Sequence, residues 1–129
     1  MASKQNTDYI FRNMKVYGSI EWLADNKKKY RTVFDKNECT YIYTEFSFFN
    51  LNFKKKDWDI DLKLVCLDQN SVEICSLNCD RTISENHNLI YVREGWGSYT
   101  SGTYWKPGTY KWVAKIDNNI VAEKNFYIQ

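Results

Sequence analysis

The stretch REGWGSYTSGTYWKPGTYKWVAKID, residues 93–117, holds three of the five tryptophans, four of the five glycines and the only proline. From Thr109 onward, aromatic and aliphatic residues alternate with lysine and valine, a period of two that predicts a strand with one buried face. The preceding Pro107-Gly108 predicts a type II turn, because proline sets φ and glycine accepts a positive φ. The glycines between residues 95 and 102 predict an irregular loop.

A second strand is predicted directly after this stretch. Asp117-Asn118-Asn119 predicts a tight turn, because asparagine tolerates the left-handed conformation that hairpins require. Ile120–Ile128 then predicts the returning strand of a hairpin, with Phe126 and Ile128 on its inner face. On the strand before the turn, the inward positions are Tyr110, Trp112, Ala114 and Ile116.

The rest of the chain shows the same short alternating runs. Further strands are predicted over Tyr9–Tyr17, Tyr30–Phe34, Thr40–Phe49, Trp58–Cys66, Val72–Cys79 and Leu89–Val92. Residues 19–29 predict a long loop anchored by Trp22-Leu23. Seven or eight short strands without a convincing helix predict an all-β, two-sheet antiparallel sandwich.

Two of these strands carry further predictions about their faces. Within Thr40–Phe49, one face carries Ile42, Phe46 and Phe48, and the other carries Tyr41, Tyr43, Glu45 and Ser47. The alternation in Trp58–Cys66 predicts a half-buried strand that faces water through Asp59, Asp61, Lys63 and Val65.

Length and charge limit the organisation and the partners. The 129 residues predict a flexible tail over residues 1–8 and one domain over residues 9–129. With 18 basic and 16 acidic residues, the chain lacks the concentrated positive charge that nucleic-acid binding needs, so no nucleic-acid partner is expected. No apolar run approaches the roughly 18 residues of a membrane span, and MASKQNTDY has no apolar signal core, so we expect a cytoplasmic protein without a membrane partner.

The sequence carries no motif for catalysis, a cofactor or a metal. The four cysteines have no paired C-x-x-C spacing, and His87 is the only histidine. A cytoplasmic location would keep these cysteines reduced, as small buried residues. We therefore expect a non-enzymatic protein with no catalytic residue, no cofactor and no metal ligand.

The last forty residues resemble the C-terminal hairpin of immunoglobulin-like modules in bacterial multidomain proteins. The matching features are Gly95-Trp96-Gly97, Trp105, the strand entry Pro107-Gly108-Thr109-Tyr110, the turn at Asp117 and the strand exit at Phe126. The group most similar is the set of modules attached to AAA+ ATPases of the stage V sporulation protein K type. The resemblance implies an immunoglobulin-like β-sandwich of seven to eight strands that serves as an accessory interaction or targeting module. The ATPase itself is absent, since the chain has no G-x-x-x-x-G-K-[ST] loop.

The candidate partner-binding residues are the aromatic residues of the glycine-containing loop, Trp96, Tyr99, Tyr104 and Trp105. Tyrosine and tryptophan are enriched at interaction hot spots, so a protein partner is one interpretation. Carbohydrate stacking on the same rings is an alternative. A third interpretation is structural, with Trp96 and Trp105 folded back to close the end of the sandwich. Tyr41 and Tyr43 form a second candidate patch, beside Val65 or Val113 if those strands are neighbours.

Overall fold

The computed structural model describes residues 8–18 and 30–129. The predicted loop with Trp22-Leu23 and all but the last residue of the predicted tail lie outside these ranges. That last residue, Asp8, accepts a hydrogen bond from the Leu51 amide through its carbonyl oxygen (2.9 Å) and one from Asn52 Nδ2 through its carboxylate (3.0 Å).

The described residues form ten strands and no helix. The strands are β1 Tyr9–Gly18, β2 Val33–Phe34, β3 Tyr41–Asn50, β4 Trp58–Ile60, β5 Leu62–Leu67, β6 Glu73–Asn78, β7 Arg81–Ile83, β8 Leu89–Gly97, β9 Gly108–Ile116 and β10 Asn119–Ile128. The first sheet has the order β1-β3-β8, the second β2-β10-β9-β5-β6, and β4 pairs with β7 in a small third sheet. All pairings are antiparallel except the two-residue pairing of β2 with β10.

One core joins the two main sheets. The first sheet contributes Phe46 and Phe48, and the second contributes Trp112 and Phe126, all fully buried. Burying each such aromatic side chain stabilises the fold by roughly 1.5–3 kcal/mol. The predicted all-β sandwich is confirmed.

The predicted strand Trp58–Cys66 is two strands that belong to different sheets, since β4 pairs with β7 and β5 pairs with β6 and β9. The Asp61 carbonyl oxygen accepts from the Asp117 amide (3.1 Å), and the Leu62 amide donates to Asp80 Oδ1 (2.9 Å). The prediction that Val65 faces water is also wrong, since it is 2% exposed.

Strand β8 runs five residues further than predicted, through Gly95-Trp96-Gly97, which is therefore not part of an irregular loop. The Tyr43 ring lies over Gly95, and a Cβ there would come within 2.6 Å of it. Gly97 has φ 150°, a conformation that favours glycine. The two glycines thus let β8 pair with β3 along its whole length.

Of the two turns predicted on either side of β9, the first is wrong and the second is confirmed. Gly108, at φ 154°, is the first residue of β9, so it is not the second central residue of a type II turn, which needs φ near +80°. The turn at Asp117-Asn118 is confirmed, because φ values of 52° and 64° at these positions are those of a type I′ hairpin turn.

The start of β8 is held by Asn50, the last residue of β3, whose side chain is buried and fully hydrogen-bonded. Its Oδ1 accepts from the Asn52 amide and from Trp58 Nε1, each at 2.9 Å. Its Nδ2 donates to the carbonyl oxygens of Ser84 (3.1 Å) and His87 (2.9 Å). One side chain therefore connects β3, β4 and the loop that enters β8.

Candidate functional site

Trp105 is part of the core. It is 1% exposed, and its Nε1 donates to the Thr40 carbonyl oxygen at 2.9 Å. Its ring packs edge-on against Tyr110 and Phe126, with centroids 5.0 and 5.5 Å apart. The structural interpretation therefore holds for this residue, whose ring has no face left for a partner.

Trp96 and Tyr104 are hydrogen-bonded to each other at the edge of the core. Trp96 Nε1 donates to the Tyr104 hydroxyl at 2.8 Å, and the Tyr104 ring packs edge-on against Trp105 at 5.2 Å. Trp96 is half-buried and Tyr104 is 38% exposed. Both rings are thus held in place at the edge of the core and are only partly available to a partner.

Tyr99 stands apart, because it is 90% exposed on a loop whose backbone is held in place. Lys36 Nζ donates to the Gly102 carbonyl oxygen (3.0 Å), and the Gly102 amide donates to the Cys39 carbonyl oxygen (3.2 Å). The buried Trp105 fixes the other end of the same loop. Tyr99 is therefore an exposed aromatic residue on an ordered support.

Tyr99 is the end of a row of five tyrosines across the outer face of the first sheet. This tyrosine row consists of Tyr30, Tyr17, Tyr43, Tyr41 and Tyr99. Successive ring centroids are 5.9, 5.2, 6.2 and 5.2 Å apart, with interplanar angles of 84°, 7°, 41° and 71°. Such distances lie within the range of favourable aromatic pairs.

Strand register explains the middle of the row. Tyr17 lies opposite Tyr43 on neighbouring strands, so their rings stack, while Tyr41 and Tyr43 share a face by their spacing of two. The proposed neighbours of Tyr41 and Tyr43 are wrong, because Val65 and Val113 belong to the second sheet. The sequence did not reveal that Tyr17 of β1 belongs to this row, because Tyr17 can be matched to Tyr43 only when the register of β1 with β3 is known.

A buried carboxylate lies beside the row. Glu45, predicted to share the Tyr43 face, is 3% exposed there and accepts hydrogen bonds from Arg93 Nε (2.8 Å) and the Tyr30 hydroxyl (3.0 Å). Burial, followed by the hydrogen bond to Glu45, raises the pKa of Tyr30 to about 12. Burial, followed by the Glu45 charge, raises the pKa of Tyr17 to about 12. Both phenols are therefore neutral at pH 7.

Three cationic side chains lie on the same face as this carboxylate, and one of them, Arg93, is bonded to it. Lys15 Nζ lies 4.5 Å from the centre of the Tyr30 ring. The guanidinium groups of Arg12 and Arg93 lie 5.8 and 5.1 Å from the centre of the Tyr91 ring. Arg12 also donates a long hydrogen bond to the Tyr91 hydroxyl (3.4 Å). The outer face of the first sheet thus combines aromatic rings with three cations and one buried, paired acid.

The described residues hold no group of three or more histidine, cysteine or acidic side chains that could bind a metal ion. Burial raises the pKa of the Cys66 thiol, and it raises the pKa of Cys75 and Cys79 to about 11 each. These thiols are protonated at pH 7 and therefore poor nucleophiles. In the same ranges, no helix is long and apolar enough to cross a membrane.

A comparison with known protein families finds no match, and none of the curated proteins matches the sequence. Solved structures do match. An immunoglobulin-like protein from Pseudomonas aeruginosa is 11% identical with a TM-score of 0.56, and the match covers 95% of this chain and 97% of that one. This chain has an immunoglobulin-like fold.

A second match is the alkylpurine DNA glycosylase of Pseudomonas fluorescens bound to DNA that contains an abasic site analogue. It is 8% identical with a TM-score of 0.59, and the match covers 95% of this chain. This chain spans only 31% of the glycosylase chain. At these identities the likeness concerns the fold alone. Neither structure is that of an AAA+ ATPase.

Proposed function

We propose that this chain is a non-catalytic protein-interaction module that contacts its partner through the exposed end of the tyrosine row, Tyr99 and Tyr41; Tyr17 within the row is only 4% exposed and supports its neighbours. The observation that carries the proposal is the 90% exposure of Tyr99 on a loop fixed by Trp105 and Gly102. A large aromatic ring on an ordered support loses little conformational freedom on binding. Tyrosine is also among the residue types that dominate binding energy at protein interfaces.

The ring geometry favours a protein over a carbohydrate. Sugar stacking uses exposed ring faces, whereas Trp105 is buried and one face of Tyr43 stacks on Tyr17. The two rings at the exposed end, Tyr41 and Tyr99, are inclined by 71° and do not form a flat platform. A protein surface can follow such an uneven row, because its side chains adapt to each ring.

We place this module in a larger cytoplasmic protein as an accessory domain. The sequence resemblance supports an AAA+ ATPase as that protein. The interaction proposal does not depend on which protein carries the module.

The test is partner capture with matched surface variants. Immobilised wild type, Tyr99→Ala and Tyr127→Ala are incubated with an extract of the source cells, and the retained proteins are identified by mass spectrometry. Tyr127 is the control, since it is 43% exposed but lies on β10 in the other sheet. We expect one partner to be retained by wild type and Tyr127→Ala and lost with Tyr99→Ala. Identical sets of retained proteins for all three forms would refute the tyrosine row as the contact surface.

A further inference from the structure

Two of the buried cysteines lie directly opposite each other in the second sheet. Cys66 of β5 pairs with Cys75 of β6, and the two residues are 0% and 8% exposed. Residues directly opposite in an antiparallel pair point to the same face, with Cα atoms about 4.5–5.5 Å apart. A disulfide spans Cα separations of about 4.4–6.8 Å. The register of β5 with β6 therefore places these two cysteines within reach of each other.

The surroundings of the two sulfur atoms confirm that the side chains are neighbours. Burial raises the pKa of the Cys66 thiol, and the charge of Cys75 raises it further. Burial also raises the pKa of Cys75, whereas a hydrogen bond between its sulfur and the Cys66 main chain lowers it. The Cys75 sulfur thus lies against the backbone of the residue to which it would be joined.

Strand β6 is weakly held in the sheet. Among the described residues it pairs only with β5, and Cys75 is the only one of its six residues that is buried. The pairing is also interrupted directly after Cys66, on the side of the turn that joins the two strands. Local opening of such an edge hairpin exposes both thiols and returns their pKa to the ordinary value of about 8.5, so they become reactive.

The register excludes Cys79 as a partner of either residue. Cys79 follows β6, and its amide donates to the Leu62 carbonyl oxygen (2.8 Å). It therefore lies four residues along the hairpin from both cysteines of the pair. At a rise of about 3.3 Å per residue this separation is about 13 Å, which is beyond the span of a disulfide. Cys79 is a matched control, because it is 4% exposed and burial raises its pKa to about 11, as for Cys75.

We infer that Cys66 and Cys75 form a reversible disulfide that joins β6 to β5 when the protein meets a small-molecule disulfide such as oxidised glutathione. In the first step, one cysteine thiolate attacks the oxidant, forms a mixed disulfide and releases one reduced glutathione. The second cysteine thiolate then attacks the sulfur of the first cysteine, which forms the internal bond and releases the second reduced glutathione. The two thiol protons end on the released glutathione, and two electrons pass from the cysteines to the oxidant.

This pair makes the β5–β6 hairpin sensitive to redox state. In a reducing compartment the thiols stay free, and in an oxidising one the bond closes. The inference does not depend on the interaction proposal, because both cysteines belong to the second sheet and the tyrosine row lies on the first.

The test is refolding of the full chain from urea with reduced and oxidised glutathione at about 1 mM each, which lets thiol–disulfide exchange reach equilibrium. Free thiols are then alkylated, and the chain is cleaved after glutamate, which separates Cys66 from Cys75 at Glu73. Mass spectrometry identifies the linked peptides and the alkylated cysteines. We expect two free thiols, Cys39 and Cys79, and one bond between the other two cysteines. Native reduced protein in the same buffer should reach the same product within hours.

A second measurement is the melting temperature of the oxidised and reduced forms. Oxidised wild type should melt about 5–10 °C higher, because the bond closes a ring of about ten residues and restricts the unfolded chain. Cys79→Ala should show the same rise on oxidation. Cys75→Ala should show no rise and should contain no internal disulfide.

Several results would overturn the inference. These are four free thiols after refolding, a bond that includes Cys39 or Cys79, or a bond that forms on refolding but not in the native protein. Equal melting temperatures of the oxidised and reduced wild type would also overturn it, since the bond would then not stabilise the hairpin.

Discussion

Replacement of Asn50 by alanine should be among the most destabilising changes in the protein. Asn50 is 2% exposed, and its side chain makes four hydrogen bonds of 2.9–3.1 Å. A hydrogen bond contributes about 1 kcal/mol net, and a buried partner left unpaired costs about 1–3 kcal/mol. Since some partners regain water after the change, we expect a loss of about 4 kcal/mol in the free energy of unfolding.

The assay is urea unfolding followed by tryptophan fluorescence. With an m-value of about 2 kcal/mol/M, a loss of 4 kcal/mol lowers the unfolding midpoint by about 2 M. Asn52→Ala is the matched control, because Asn52 is 7% exposed and donates one side-chain hydrogen bond, to Asp8. It should cost about 1 kcal/mol.

A third variant, Asn50→Asp, keeps the shape and removes the two donors to Ser84 and His87. It should be destabilising at pH 7 and partly recover at acidic pH, where the carboxyl group regains a proton to donate. If Asn50→Ala cost no more than Asn52→Ala, the role of Asn50 in holding the entry to β8 would be refuted.

Three further stability predictions use the same assay. Trp112 Nε1 has no hydrogen-bond partner in the described protein, so the free energy of unfolding of Trp112→Phe should stay within about 1 kcal/mol of wild type. Trp105→Phe loses the hydrogen bond to Thr40 and should cost about 2–4 kcal/mol. Similar costs for the two variants would contradict this prediction. Gly95→Ala should be destabilising by about 1–3 kcal/mol and much less so in a Tyr43→Ala background, since the added Cβ meets the Tyr43 ring; additive costs would exclude that contact. Burial raises the pKa of Tyr17 to about 12 in the folded protein, against an ordinary value of 10, so the folded state favours the neutral phenol. The contribution of this phenol to the free energy of unfolding is therefore complete below pH 10 and is lost as the pH rises through 12. Tyr17→Phe should therefore reduce the alkaline loss of stability, and an unchanged pH profile would contradict the assignment.

The sequence was sufficient for the fold because the strand periodicity is strong near the C-terminus. Tyr110, Trp112, Phe126 and Ile128 all face inward as predicted, although the outward Val113 is buried as well. The predicted strand boundaries were wrong where a glycine can indicate either a loop or a close approach of two strands. Gly95 and Gly97 suggested a loop, yet they permit close pairing of β8 with β3, which local sequence does not reveal.

The candidate site was less predictable, because it depends on pairing between distant residues. The density of aromatic residues placed Tyr99 and Trp105 in one candidate set, but it could not separate the exposed Tyr99 from the buried Trp105. The row that Tyr99 joins is created by the register of β1 with β3. The role of Asn50 was missed for the same reason, since its partners lie up to 37 residues away.

The most direct test of the interaction function is the affinity of the captured partner for three forms of the chain, measured by isothermal titration calorimetry. For a hot-spot tyrosine, truncation costs about 2 kcal/mol or more, so Tyr99→Ala should bind roughly thirty-fold more weakly than wild type. Tyr127→Ala should bind like wild type, and both variants should unfold within about 0.5 kcal/mol of it, as expected for exposed positions. Equal affinity of all three forms would contradict the proposal that the partner binds at Tyr99.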